Sequence, residues 1–136
     1  MPTTGFDHAV LTFPSLEEAE ATARRLGFAT TPRATHPFGT GNVLVQFDDH
    51  NLEYLAVVDP ARVEAAAAAA PFTFAGFNRD FLARNGPGFS MVVVKSRDRA
   101  AEAERFRDAG LVAHPFGFER AAKAPDGRDA KVAFEL

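Results

Sequence analysis

The chemistry-bearing residues of this 136-residue chain recur at matching places in its two halves. His8 lies in the apolar run Phe6 to Phe13, and Glu53 lies in another, Leu52 to Val58. A shift of 82 places sets Val10 on Val92, Leu11 on Val93, Leu52 on Phe134 and Glu53 on Glu135. The same shift sets His8 on Ser90. If each half is a curved sheet with a helix on its outer side, His8, Glu53, Ser90 and Glu135 point inward, where polar groups need partners. An imidazole and a carboxylate on neighbouring strands suit a divalent ion such as Zn, Mn, Fe or Ni. Glu53 or Glu135 is also placed to move a proton at a bound molecule.

A second cluster, His36, Thr40 and Asn42, brackets the bend Gly39 to Gly41, whose glycines allow a close backbone approach to a ligand. Plainer readings stand beside both clusters. His8 can be a core histidine with a hydrogen-bond partner, Glu53 a surface residue of an edge strand, and Glu135 a residue of a fraying chain end. Asn42 can serve its own turn. Ser90 reads as a polar liner rather than a nucleophile, because no histidine is placed to activate it.

The elements that must position these residues are legible in the pattern. Phe6 to Phe13 is a strand stopped by Pro14. Ser15 and Glu18 form a capping box for a helix with Leu16, Ala19, Ala23 and Leu26 on one face, closed by Gly27. Strands are expected at 28–35, 42–47 and 52–58, with Asp48 to Asn51 as a turn. The alanine run 65–70 marks a linker helix, and a second short helix aligns Phe74, Phe77 and Phe81 as core. The second half repeats the order: a strand at 89–95, a helix around 98–109 closed by Gly110, a strand near 111–115, and a hairpin of 118–123 with 131–136 across Pro125-Asp126-Gly127-Arg128. Gly27 and Gly110 differ by 83, so one residue has been gained between the halves. The 82-place alignment also matches Ala9, Leu11 and Phe13 to Met91, Val93 and Lys95 as the helix-packed face.

Composition narrows the function. There is no cysteine, which excludes disulfides, thiolate zinc sites, iron–sulfur clusters and thiol nucleophiles. Fifteen basic residues are scattered among 18 acidic ones for a net charge of −3, so neither nucleic acid nor an anionic membrane is an expected partner. With 14 Phe, one Tyr and no Trp, the chain builds apolar walls with few polar aromatic tips. No signal-like start, nucleophile elbow, P-loop or dinucleotide fingerprint is present. A cytoplasmic location follows as the expectation, with a small-molecule substrate or ligand.

Phe6-Asp7-His8-Ala9-Val10, Leu26-Gly27-Phe28, His36 to Asn42 and Leu52-Glu53-Tyr54-Leu55 together resemble the glyoxalase-like branch of the vicinal oxygen chelate superfamily, over nearly the whole chain. The resemblance implies an α+β fold of two βαβββ modules, forming a cup-shaped, partly open eight-stranded mixed sheet with helices outside. Module one would span about 5–58, linker helices 60–85, and module two about 88–136, all in a single domain 1–136. It implies metal ligands at His8, Glu53 and Glu135, catalytic roles for Glu53 and Glu135, and ligand contacts from His36, Thr40, Asn42 and Ser90. Where metal-binding relatives place His on the fifth strand, this chain has Ser90. Two functions follow as expectations. One is a metal-dependent lyase, isomerase or dioxygenase acting on a small oxygenated substrate. The other is a metal-free module that binds or sequesters a small ligand. Related modules pair, so a homodimer is expected, and relatives often continue beyond the position of Leu136.

Overall fold

The computed structural model describes residues 5–123 and 128–135. Backbone proximity divides the chain into a larger unit, Gly5–Lys95, and a smaller one that holds the chain from Ser96.

The larger unit opens with β1 (Phe6–Phe13), followed by α1 (Leu16–Arg25). Ser15 caps α1 by accepting from the Glu18 amide at 3.2 Å, as the capping box predicts. Leu16, Ala19 and Ala23 are the buried face of the helix. β2 (Ala34–Thr35), β3 (Thr40–Gln46) and β4 (Asn51–Val57) come next. The expected strand at 28–35 is reduced to two residues. Most of the segment is irregular, and Arg33 ties it to α1 by ion pairs with Glu17 at 2.7 Å and Glu20 at 2.9 Å. α2 (Pro60–Ala69) has Asp59 as N-cap and Pro60 in its first turn, a position where proline loses no hydrogen bond. α3 (Phe74–Asn85) follows with Thr73 as cap, then β5 (Gly88–Val94).

These strands form one mixed five-stranded sheet in the order β2-β3-β4-β1-β5. β1 runs parallel to β4 and antiparallel to β5, which places the first strand in the interior of the sheet. On one face, Phe13, Val43, Val45 and Tyr54 pack with Ala19 and Ala23 of α1 into the hydrophobic core. Phe13 and Tyr54 stack at 5.1 Å between ring centres. The pairing puts Met91 opposite Val10 and Val93 opposite His8. Residues directly opposite each other share a face, so Met91 and Val93 stand with His8 and not on the helix-packed face the sequence alignment assigns them. The faces of β5 follow the 83-place offset of Gly27 and Gly110, which sets Ala9 on Val92, its observed partner.

The smaller unit contains α4 (Arg99–Asp108), capped by Asp98, and a two-stranded antiparallel sheet of β6 (Gly117–Lys123) and β7 (Asp129–Glu135). The strand expected near 111–115 does not form: 111–116 has no regular structure. Seven strands are therefore present among the described residues, in place of the eight expected. Most of the hairpin turn expected at 125–128 lies outside the described residues.

Candidate functional site

The face of the sheet opposite α1 carries the polar residues. In the β1–β4 register Val10 stands opposite Glu53, and His8 lies one pleat further along the same face. In the β3–β4 register Leu44 stands opposite Glu53 and Asn42 lies one pleat away. Glu53 is thus reached from both neighbouring strands. The Asn42 side-chain amide donates to Glu53 Oε1 at 2.6 Å. His8 Nε2 lies 3.5 Å from Glu53 Oε2, and His36 Nε2 lies 3.6 Å from Oε1. One buried carboxylate, with its residue 6% exposed, is therefore flanked by an amide donor and two imidazoles.

A built bend holds His36 there. Its amide donates to the Thr40 carbonyl at 2.8 Å, and its Nδ1 lies 2.9 Å from the Thr40 hydroxyl. Phe38 stacks on the imidazole at 5.1 Å and Phe74 of α3 meets it edge-on at 5.9 Å. Gly39 has a φ of +97°, and a Cβ there would meet the Asp59 carbonyl at 2.5 Å. Its own carbonyl accepts from the amides of Val58 and Asp59. The close approach Gly39 allows is thus to the start of α2, and Gly41 packs against Val58, Ala34 and Leu16. Thr40 is fully buried, so it reaches the site through His36.

Burial is the largest single influence on Glu53 and raises its pKa. The interactions with His8 and Asn42 and the charges of His36 and His8 outweigh it, so the carboxyl titrates below its usual range. For His8, burial acts to lower the pKa, but Glu53 and Asp7 together raise it above the ordinary imidazole value. Asp7 Oδ1 lies 2.6 Å from His8 Nδ1. The His8 side chain is 19% exposed, the most accessible of the groups at Glu53.

Ser90 is engaged elsewhere. Its hydroxyl donates to Asn78 Oδ1 at 2.6 Å and lies 3.3 Å from the Val10 carbonyl. Asn78 of α3, 1% exposed, donates in turn to the Phe74 carbonyl at 2.9 Å. Of the expected core stripe on α3, Phe74 is buried while Phe77 is 38% exposed. The missed residue is Asn78, and its signal was a polar side chain four places from Phe74, on the same helical face. Asp7 was also missed, because neighbours along a regular strand point to opposite faces.

The fit to a divalent ion is partial. His8 and Glu53 are adjacent, Ser90 is tied to Asn78, and the Glu135 side chain lies outside the described residues. Among the described residues no group of three or more His, Asp or Glu is arranged to hold a metal. The described residues alone do not make up a metal centre.

The family model for the glyoxalase-like domain matches residues 6–136. The chain belongs to the glyoxalase-like domain family. No curated protein matches its sequence. Solved structures share the fold. Methylmalonyl-CoA epimerase from Mycobacterium tuberculosis is 20% identical with a TM-score of 0.58, over 97% of this chain and 79% of that one. A hypothetical protein from Staphylococcus aureus is 18% identical with a TM-score of 0.64, over 96% of this chain and 50% of that one, so this chain spans half its length. A hypothetical protein from Bacillus halodurans C-125 is 12% identical with a TM-score of 0.56, over 96% and 83%. These likenesses show that the glyoxalase-like chain shares a mixed α+β fold with them. None of its described helices is long and apolar enough to cross a membrane.

Proposed function

We propose that this glyoxalase-like protein binds a small oxygenated molecule beside Glu53, and that Glu53 exchanges a proton with it. The observation that carries the reading is one carboxylate, buried yet held ionised, with Asn42, His8 and His36 converging on it. A buried polar cluster of this kind is costly unless its members satisfy one another, and it is the usual place for acid–base work. Asn42 fixes the orientation of the Glu53 carboxylate. When its ring is protonated, which its raised pKa favours, His8, the partly exposed member, donates from Nε2 to a hydroxyl or carbonyl oxygen of the ligand, and the basic Glu53 oxygen accepts the proton. Thr40 and Phe38 set the His36 ring, and Ser90 supports α3 from the other end of the same sheet face.

The metal-dependent reading, a lyase, isomerase or dioxygenase with Zn, Mn, Fe or Ni at His8, Glu53 and Glu135, is the second proposal. It is supported by the family and by the separation of His8 Nε2 and Glu53 Oε2, 3.5 Å, which is near the spacing of two ligands on one ion. The eight-stranded cup, the single domain over 1–136, a catalytic Glu135, a cytoplasmic location and a homodimer belong to the same family-based proposal.

A thermal-shift screen with α-keto acids, α-hydroxy acids and vicinal diols tests both. At least one compound class is expected to raise the melting temperature of the wild type and not of Glu53→Ala or His8→Ala. Stabilisation that survives EDTA supports the metal-free reading. Stabilisation that EDTA abolishes and Zn, Mn, Fe or Ni restores supports the second. A ligand shift left intact in both variants rejects the site.

A further inference from the structure

We infer that Asp7 is a positioning residue of this site: it holds the His8 ring with Nδ1 as donor, so that Nε2 is the nitrogen turned toward Glu53. The inference rests on the Glu53 reading only for its consequence. Its basis is the shape of β1. Adjacent residues of a regular strand project to opposite faces, so an aspartate is not expected to serve the histidine that follows it. Here the β1–β5 register passes from Phe6 opposite Val94 directly to His8 opposite Val93. Asp7 is the extra residue of a bulge, the device by which strands re-aim a side chain, and bulges concentrate beside functional sites. The result is a 2.6 Å contact between Asp7 Oδ1 and His8 Nδ1.

An ionised carboxylate has only acceptors, so the proton of this bond is on Nδ1. Which ring nitrogen is presented to a site is set by the bond the other one makes. Nε2 of His8 therefore faces the Glu53 carboxylate, 3.5 Å away, with its orientation fixed from behind. Side-chain exposure falls from 42% at Asp7 to 19% at His8 and 8% at Glu53, so the three groups form a file from solvent to interior. The molecule holds its own control. In the turn between β3 and β4, Asp49 Oδ1 meets His50 Nδ1 at the same 2.6 Å, but that ring stacks on Phe47 at 5.1 Å.

The test is a two-bond nitrogen–proton NMR spectrum of the imidazoles in the full chain, recorded at alkaline pH where the rings are neutral. In the wild type the neutral His8 ring is expected to show a protonated Nδ1 and a bare Nε2. Asp7→Ala should lose the protonated Nδ1 signal of His8 and leave His50 unchanged, and Asp49→Ala should do the reverse. A wild-type His8 ring with its proton on Nε2, or a His8 pattern indifferent to Asp7→Ala, overturns the inference. If Asp7→Ala does not fold, the wild-type spectrum and Asp7→Asn decide. Because the ring is read directly, a negative result here is distinct from the loss of ligand binding in Glu53→Ala.

Discussion

The two halves of this chain close a helix in the same way and bury it differently. In the first, α1 ends with Phe28 donating back to the Ala23 carbonyl at 2.9 Å, beyond a glycine at φ +84°. In the second, α4 ends with Leu111 donating to the Phe106 carbonyl at 2.8 Å, beyond a glycine at φ +77°. Both are the same left-handed helix closure. Yet α1 buries Leu16, Ala19 and Ala23, while the only buried residue of α4 is Glu102. β1 is the interior strand that carries His8, while β5 exposes Phe89, Val92 and Val94. A shared helix closure thus does not bring shared burial: the core cluster and the candidate site both belong to the Gly5–Lys95 unit.

The largest expected effect sharpens that contrast. Tyr54 is 1% exposed and stacked on Phe13, so Tyr54→Ala should cost about 3–5 kcal/mol in urea unfolding. Val92, at 68% exposure, should cost under about 0.5 kcal/mol when changed to Ala. A Val92→Ala loss above about 1 kcal/mol would show that this part of β5 is covered in solution, and the contrast between β1 and β5 would fall.

The middle effect concerns the pair that only the first half possesses. Glu53→Gln should cost about 1–3 kcal/mol near pH 5.5, since it leaves His8 and Asn42 with a changed partner in a buried setting. The pH dependence has a definite sign. His8 has its pKa raised above 6.5 by folding, so its contribution is complete below 6.5 and is lost as pH climbs through the folded-state value. Glu53 has its pKa lowered below 4.5, so its contribution is complete above 4.5 and is lost as pH drops through the folded-state value. The pair therefore stabilises most between pH 4.5 and 6.5. The stability difference between wild type and Glu53→Gln should peak in that window, and a difference flat from pH 4 to 8 would contradict the His8–Glu53 coupling.

The same contrast explains what could be read from sequence. The strand and helix order of the larger unit followed from period and caps, because Ser15 and Gly27 act locally and the apolar stripe of α1 has one sheet to face. His8, His36, Asn42 and Glu53 were named from type and position, but their meeting depends on register, which no local pattern specifies. The two irregularities of β1–β5 pairing account for the main misses. One brings Asp7 onto His8, and the other, at Val10 and Leu11, lets Ser90 and Met91 both reach Asn78. In the second half the stretch 111–116 has the residues of a strand, LVAHPF, but Pro115 cannot donate to a ladder.

The smallest effect tests whether Ser90 is the counterpart of His8 in role as well as in sequence. Its hydroxyl bonds to Asn78, a side chain with almost no access to water, so Ser90→Ala leaves a buried amide oxygen short of a donor. The expected cost is about 1 kcal/mol, within the range for one such bond. Asn78→Ala should overlap with it, because both changes break the same contact, and a double-mutant cycle should return a coupling of at least about 0.5 kcal/mol. If Ser90 instead served the ligand as His8 is proposed to, its loss would abolish the ligand-induced thermal shift and would add independently to Asn78→Ala. The geometry favours the first outcome, because the single proton of that hydroxyl is already engaged within the protein, at 2.6 Å from Asn78 Oδ1 and 3.3 Å from the Val10 carbonyl.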